Sequence, residues 1–125
     1  MDIALWIIAA SLAALFAAAG LMKLAQPRQQ LAASGLGWTE DRTDAQVKGI
    51  GALEVLGSAG LILPAALGIA EVLTPVAALG LAVIMAGAIV VHLRRGGETG
   101  FAVGNLALGA LALLVAVMRF GPYAF

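Results

Sequence analysis

Long apolar runs separated by short polar stretches dominate the pattern of this chain. Four runs are long enough to cross a bilayer, which takes about 20 apolar residues in a helix, with a range of about 17 to 25. They predict spanning helices at residues 3–24, 48–64, 75–93 and 101–119. Because consecutive spans alternate in direction, the pattern predicts an all-α fold, an integral membrane four-helix up-down bundle in which residues 1–125 form a single transmembrane domain.

Local signals indicate where the middle spans begin and end. Thr43, followed three residues later by Gln46, resembles a capping box that opens the second span. A proline is poorly tolerated in a helix interior, so the second span is expected to end near Pro64. Thr74 and Pro75 predict the N-cap and the first helical position of the third span.

The longest polar segment lies between the first two spans, at residues 26–47. It carries Trp38, and tryptophan favours the boundary between membrane and water. The segment therefore predicts a short amphipathic helix and a loop on the membrane surface. Its charged residues 39–44 are interpreted as a solvated loop.

Composition places the chain in a lipid environment. Hydrophobic residues make up 62% of the 125 residues and charged residues 11%, with a mean hydropathy of +1.04. A soluble domain has about 25% charged residues, so the expected partner of the outer surface is the lipid bilayer. The net charge of zero argues against a nucleic-acid partner, and the lack of cysteine excludes disulfides, thiol catalysis and thiolate metal sites.

The basic residues predict an orientation. Six of the seven flank the first and third connections, and one lies at the other side: Lys23, Arg28, Arg42, Lys48, Arg94 and Arg95 against Arg119. Cytoplasmic loops carry the excess of lysine and arginine. Both termini are therefore predicted to lie outside, and the first and third connections in the cytoplasm.

One hydrogen-bonding side chain from each span is expected in the same half of the membrane. Glu54 lies six residues past Lys48, roughly 9 Å deep at the helical rise, and Asn105 lies roughly 6 Å past Phe101. Lys23 and His92 close the first and third spans at the same face. Since polar side chains avoid lipid, the sequence predicts a converging cluster in a space that small neighbours leave open. The cluster is Lys23, Glu54, His92 and Asn105, and the small neighbours are Gly20, Gly51, Ser58 and Gly109.

This cluster has two interpretations at the level of residues. Polar bonds between helices can simply fix packing, whereas an intramembrane carboxylate is by default a functional hypothesis, for a ligand or a proton. Glu54 and His92 are the candidate catalytic residues, because a carboxylate beside an imidazole can transfer protons. His92 is the sole histidine, so a metal or haem site within one protomer would be incomplete. The glycines of the second span are expected to serve packing within the chain more than dimerisation.

Several motifs resemble those of a known family. They are G-L-M-K-L at residues 20–24, G-A-L-E-V-L-G-S-A-G-L-I-L-P at residues 51–64, T-P with A-A-L-G-L and H-L-R-R-G in residues 74–96, and N-L-A-L at residues 105–108. Together they resemble the DoxX-like family of small four-helix bacterial membrane proteins. The resemblance implies a multi-pass protein of the bacterial plasma (inner) membrane.

The resemblance also implies an accessory role near quinone chemistry, and together with the polar cluster it leaves three functions open. The first is an accessory or scaffold subunit of a membrane oxidoreductase or quinone-linked system, with a protein partner docking on the cytoplasmic face. The second is a binder or transporter of a small amphipathic molecule, such as a quinone, in which Lys23, Glu54, His92 and Asn105 bind the ligand. The third is a small membrane enzyme, an isomerase or hydrolase using Glu54 and His92. The sequence carries no cofactor motif of its own, so a quinone is implied by resemblance alone, and a homo-oligomer is left open.

Overall fold

Four long helices and two short ones make up the part of the chain that the computed structural model describes, residues 2–33 and 35–125. The long helices are α1 (Asp2–Ala25), α3 (Asp44–Leu67), α4 (Leu73–Arg95) and α5 (Thr99–Phe120), and the short ones are α2 (Arg28–Ala33) and a 3₁₀ helix (Gly37–Asp41). Each long helix has the length and apolar composition needed to cross a membrane. The predicted all-α membrane bundle is confirmed.

The long helices form a ring in which each packs against two neighbours. Helix α1 contacts α3 and α5, and α4 contacts the same two helices. The side chain of Arg119, at the end of α5, is bonded to Asp2, at the start of α1. The two ends of the chain are therefore at one end of the bundle, as an up-down connection requires.

Both the centre of the bundle and its outer faces are apolar. Large buried residues from all four long helices meet at the centre: Leu5, Leu12, Phe16, Leu61, Leu81, Met85 and Val115. Many large apolar side chains on the outside remain exposed, such as Ile3 (76%), Leu56 (67%) and Val83 (65%). An apolar exterior around an apolar core is the arrangement of a protein whose solvent is lipid.

Glycines allow α3 to approach its two neighbours. A Cβ atom on Gly51 would lie 2.8 Å from the carbonyl oxygen of Gly20 on α1. On the other side of α3, a Cβ on Gly57 would lie 2.7 Å from a methyl of Leu81, and one on Gly60 would lie 2.8 Å from the Cβ of Ala77. These glycines pack against helices of the same chain, as small residues do at membrane helix interfaces.

The predicted capping box at the start of α3 is present. The hydroxyl of Thr43 accepts from the backbone N–H of Gln46 at 3.1 Å, and the Gln46 side chain accepts from the backbone N–H of Thr43 at 3.0 Å. The predicted end of the same helix is three residues short, since Pro64 lies inside α3. The helix continues to Leu67 and is followed by the C-cap residue Gly68, whose left-handed φ of 67° suits glycine.

The predicted N-cap role of Thr74 is wrong. Helix α4 begins at Leu73, two residues before the predicted first position Pro75, with Val72 at the N-cap position and no side-chain cap. The buried hydroxyl of Thr74 instead lies 3.4 Å from the carbonyl oxygen of Leu61 on α3. Pro75 still lies in the first turn, where its missing N–H costs no helical hydrogen bond.

The first connection is folded into two short helices. The buried hydroxyl of Thr39 lies 2.8 Å from the Leu36 carbonyl and 3.3 Å from the Arg28 carbonyl, so it joins the 3₁₀ helix to α2. The Arg28 guanidinium donates to the carbonyl of Arg42. These bonds hold the segment as a compact cover over one end of the bundle.

Candidate functional site

A buried ion pair joins α1 to α3. The ammonium of Lys23 lies 2.7 Å from Oε1 of Glu54, and the two residues are 7% and 3% exposed. Ten residues separate Glu54 from the start of α3, which places it roughly 15 Å along the helix. Within the predicted cluster, the structure pairs Glu54 with Lys23.

The close approach of α1 and α3 is what brings these two side chains together. Gly20 lies three residues before Lys23, and Gly51 lies three residues before Glu54. A Cβ on Gly20 would lie 2.6 Å from the Gly51 carbonyl oxygen, and a Cβ on Gly51 would lie 2.9 Å from the Cβ of Lys23. Because residues three apart share a helix face, the glycines set the helix spacing one turn from the pair.

Two residues that sequence reasoning did not assign to the site complete its surroundings. The ring centroid of Trp38 lies 5.9 Å from the Lys23 ammonium, within range of a cation–π contact. The ammonium of Lys48 donates to the carbonyls of Lys23, Leu24 and Gln26 at 2.9, 2.8 and 2.9 Å. Lys48 therefore caps the end of α1. Its position one turn before Gly51, which packs against α1, is the feature of the sequence that could have indicated this role.

His92 belongs to a second network, at the end of α4. Its Nδ1 lies 2.9 Å from Oε1 of Glu98, and its ring stacks on Phe101 with centroids 5.2 Å apart. Nε of Arg95 donates to the other Glu98 oxygen at 3.3 Å, and the Arg95 guanidinium also pairs with Asp41 of the 3₁₀ helix. The hydrogen bond from His92, together with Arg95, holds the pKa of the Glu98 carboxyl below its usual range.

Asn105 lies apart from both networks. It is half-buried on α5, and α5 packs mainly against α4 and α1 while Glu54 is on α3. Across residues 2–33 and 35–125, no hydrogen bond joins Asn105 or His92 to the Lys23–Glu54 pair. Of the four polar side chains predicted to converge, Lys23 and Glu54 form a direct pair. His92 is instead bonded to Glu98, and Asn105 is on α5, which the ring of helices separates from α3.

The small residues expected around the cluster divide in the same way. Gly20 and Gly51 lie at the ion pair, as described. Ser58 lies on the Glu54 helix, and its hydroxyl donates to the Glu54 carbonyl at 2.8 Å. A Cβ on Gly109 would instead lie 3.1 Å from the Cβ of Met85, at the contact between α5 and α4.

The ion pair limits what Glu54 can do chemically. One oxygen of the Glu54 carboxyl is already engaged by the Lys23 ammonium, at 2.7 Å. Acid–base chemistry with His92 would require a new arrangement, since the imidazole is bonded to Glu98. In the described part of the chain, no three His, Cys, Asp or Glu side chains are grouped so that they could hold a metal ion.

A separate polar cluster at the opposite end was not predicted. Arg119 is 5% exposed, bonds to Asp2, and donates to the Tyr123 carbonyl at 2.9 Å. The rings of Phe125 and Trp6 lie 4.1 and 5.9 Å from its guanidinium carbon. Arg119 therefore joins the start of α1 to the end of α5.

Two open clefts lie at the end of the bundle that the first connection covers. One, of about 430 Å³, is lined by Asp41, Arg42, Val90, Val91, Arg94 and Arg95. The other, of about 330 Å³, is lined by Arg28, Gln29, Ala32, Ala33 and Glu40. Neither is lined by Lys23, Glu54, His92 or Asn105.

Comparison with known proteins gives a family match. Residues 7–118 match the family model described as the DoxX-like family, which covers most of the chain. No curated protein and no solved structure is significantly similar to the chain.

Proposed function

The chain belongs to the DoxX-like family, and from that premise we propose that it is an accessory or scaffold subunit of a membrane oxidoreductase or quinone-linked system. The observation that carries the proposal is the closed Lys23–Glu54 pair, 2.7 Å apart and almost fully buried. Its two charges are used within the chain. A pair of this kind fixes the register of α1 against α3 and supports a scaffolding role.

The first connection supplies the surface through which such a subunit would dock. Its charged side chains are held in place by the Thr39 and Arg28 bonds and by the Asp41–Arg95 pair. The cleft lined by Arg28 and Glu40 presents both signs of charge outside the spanning helices. Complementary charges on a partner would give such a contact its specificity.

The test is isolation of the intact assembly from native membranes in a mild detergent. The tagged chain should co-purify with a subunit that carries flavin or haem absorbance, together with quinol-dependent turnover. Glu40→Arg, at the second cleft, should release that subunit, while Glu71→Gln at the opposite end of the bundle should not. A chain that purifies alone from cross-linked membranes would contradict the proposal.

A second candidate is a binder or transporter of a small amphipathic molecule, and one observation favours it. The Lys23 ammonium of the buried pair lies 5.9 Å from the ring of Trp38, which belongs to the connection and not to a spanning helix. Movement of that segment would open the pair to a ligand from the membrane boundary. Intramembrane charges that serve function are characteristically placed toward a bundle interior.

Trp38 can report on that candidate. A Trp6→Phe variant leaves Trp38 as the single tryptophan, and decylubiquinone added to the reconstituted protein should quench its fluorescence saturably. Glu54→Gln should weaken the quenching, and Glu71→Gln should leave it unchanged. Linear, non-saturating quenching that is equal in all variants would exclude this binding site. An enzymatic role for Glu54 and His92 has less support, since the two side chains share no hydrogen bond.

A further inference from the structure

The larger cleft contains two arginines whose charges are not used by the protein. Arg42 and Arg94 both line it, and neither guanidinium has a hydrogen-bond or ion-pair partner among residues 2–33 and 35–125. The acidic residue of the same cleft, Asp41, is held by Arg95. The cleft therefore presents two free positive charges beside a carboxylate that is already neutralised.

The wall of this cleft continues into the lipid-facing surface of α4. Val90 lies four residues before Arg94 on the same helix face and is 47% exposed. Val83, two turns further along, is 65% exposed. Between them Gly87 leaves open space, with no atom within 4 Å of where its Cβ would be. The result is a shallow apolar track that runs roughly 16 Å from Val83 to Arg94 at the helical rise.

We propose that this cleft, the Arg42–Arg94 cleft, binds an anionic phospholipid, with the headgroup phosphate between the two guanidinium groups and an acyl chain along Val90, Gly87 and Val83. Guanidinium groups bind phosphate through paired N–H donors. Basic pockets at the ends of spanning helices are suited to anionic headgroups. The apolar track accounts for the acyl chain, which a soluble phosphate or an acidic peptide lacks.

The cleft also ties the lipid to the folded connection. Arg42 lies on the segment between the 3₁₀ helix and α3, and Arg94 lies at the end of α4. A phosphate bound to both would add a second link beside the Asp41–Arg95 pair. Lipid binding should therefore stabilise the docking of the first connection as well as the bundle.

Native mass spectrometry of the detergent-solubilised protein tests the proposal with phosphatidylglycerol and phosphatidylcholine vesicles as lipid sources. The wild-type chain should retain phosphatidylglycerol in preference to phosphatidylcholine. Arg42→Gln and Arg94→Gln should each lower that preference about fivefold, and the double variant should abolish it. Arg42→Lys with Arg94→Lys keeps the charge and should keep most of the preference.

Matched variants separate this site from a general charge effect. Lys48→Gln removes one cation from the same end of the bundle outside the cleft and should leave the preference intact. Gly87→Leu places a side chain in the open space of the track and should weaken binding of phosphatidylglycerol while both arginines remain. Melting temperatures of all variants, measured without lipid, confirm that each is folded.

Three results would overturn the proposal. The first is equal retention of the two lipids by the wild-type chain, and the second is an unchanged preference in the folded double variant. The third is displacement of phosphatidylglycerol by millimolar inorganic phosphate or by a polyglutamate peptide, which would assign the arginines to a soluble anion or a protein partner. Retention of the lipid in the presence of both competitors supports the membrane lipid as the occupant.

Discussion

Lys23 and Glu54 are charged residues in a part of the molecule where charge is expensive. Moving an ion out of water costs several kcal/mol even after relaxation, and the attraction between partners offsets that cost only when the geometry is good. A separation of 2.7 Å, with Trp38 above the ammonium, meets that condition. We therefore expect that removing one member of the pair lowers the free energy of unfolding more than removing both.

Glu54→Gln should lower the free energy of unfolding by up to about 3–5 kcal/mol, because it leaves a buried ammonium without its counter-charge. Adding Lys23→Met to Glu54→Gln should restore part of that loss by removing the stranded charge. Unfolding in mixed micelles, followed by circular dichroism, measures Glu54→Gln, Lys23→Met and the double variant. Additive losses in the double variant would show that the two side chains do not interact.

Glu71→Gln is the matched control for that experiment. Glu71 lies in the connection between α3 and α4, outside the helices, and is half-buried. Removing its charge should change stability by no more than about 0.5 kcal/mol, as surface substitutions usually do. Equal losses from Glu71→Gln and Glu54→Gln would remove the special role assigned to the ion pair.

Glu98 predicts a pH dependence at the end of α4. Its pKa is lowered, first by the hydrogen bond with His92 and then by Arg95, so the folded state favours the carboxylate. That contribution is fully present above the ordinary glutamate pKa of about 4.3 and is lost as the pH falls through the lower folded-state pKa.

Glu98→Gln should therefore be less stable than the wild type near pH 6, and the difference should shrink as the pH is lowered toward 3. Melting temperatures of both proteins in detergent across that range measure the effect. The difference between them isolates Glu98 from Asp41, which pairs with the same Arg95 and is unchanged in both. A difference that does not vary with pH would contradict the role of the carboxylate.

At the scale of elements, the contact between α1 and α3 depends on backbone approach. Gly20 and Gly51 face each other so closely that a methyl group on either would clash with the carbonyl oxygen of the other. Gly49, two residues before Gly51 on the same helix, has no atom within 4 Å of its Cβ position. Gly49 and Gly51 thus differ in packing while sharing nearly the same sequence context.

Gly51→Ala should destabilise the protein by about 1–3 kcal/mol, the usual cost of overpacking a close contact. Gly49→Ala should be neutral or stabilising, because alanine favours a helix over glycine by about 1 kcal/mol. Thermal unfolding of the two variants in the same detergent makes the comparison. Equal shifts in melting temperature would mean that helix propensity and not packing governs both sites.

The elements were predictable from the sequence where the governing signal is local. Apolar runs gave all four long helices, and Thr43 with Gln46 gave the start of α3. The end of α3 was not predictable in this way, because the helix contains Pro64 and continues to a left-handed Gly68. The role of Thr74 was not, because its hydroxyl faces the Leu61 carbonyl of the neighbouring helix.

The site followed the same division. Lys23 and Glu54 were predicted from polarity and depth, and they meet. His92 was assigned to the same cluster on depth alone. The turn at Gly96 and Gly97, both at positive φ, instead brings Glu98 within hydrogen-bond distance of His92. The depth of a residue along a span can be predicted from the sequence. The order of the helices around the bundle, and the side chain that a turn brings back against a helix end, cannot.

On the scale of the whole molecule, polar interactions are concentrated at the two ends of an apolar bundle. One end carries the ion pair, the Lys48 cap and the His92–Glu98–Arg95–Asp41 network, all near the first and third connections. The other end carries Arg119 with Asp2 and the rings of Trp6 and Phe125. The apolar middle spans the lipid, and the ends differ sharply in basic charge.

That difference predicts the orientation in the membrane. The Asp41–Arg95 pair joins the first connection to the end of α4, so the six basic residues around the first and third connections lie at one end, and Arg119 lies at the end that holds the termini. Since the basic end remains in the cytoplasm, both termini should lie outside. In a bacterial host, alkaline phosphatase fused after Phe125 should be active and green fluorescent protein fused there should be dark. Insertion of each reporter between Gly96 and Gly97 should give the reverse, and the opposite pattern at both positions would refute this orientation.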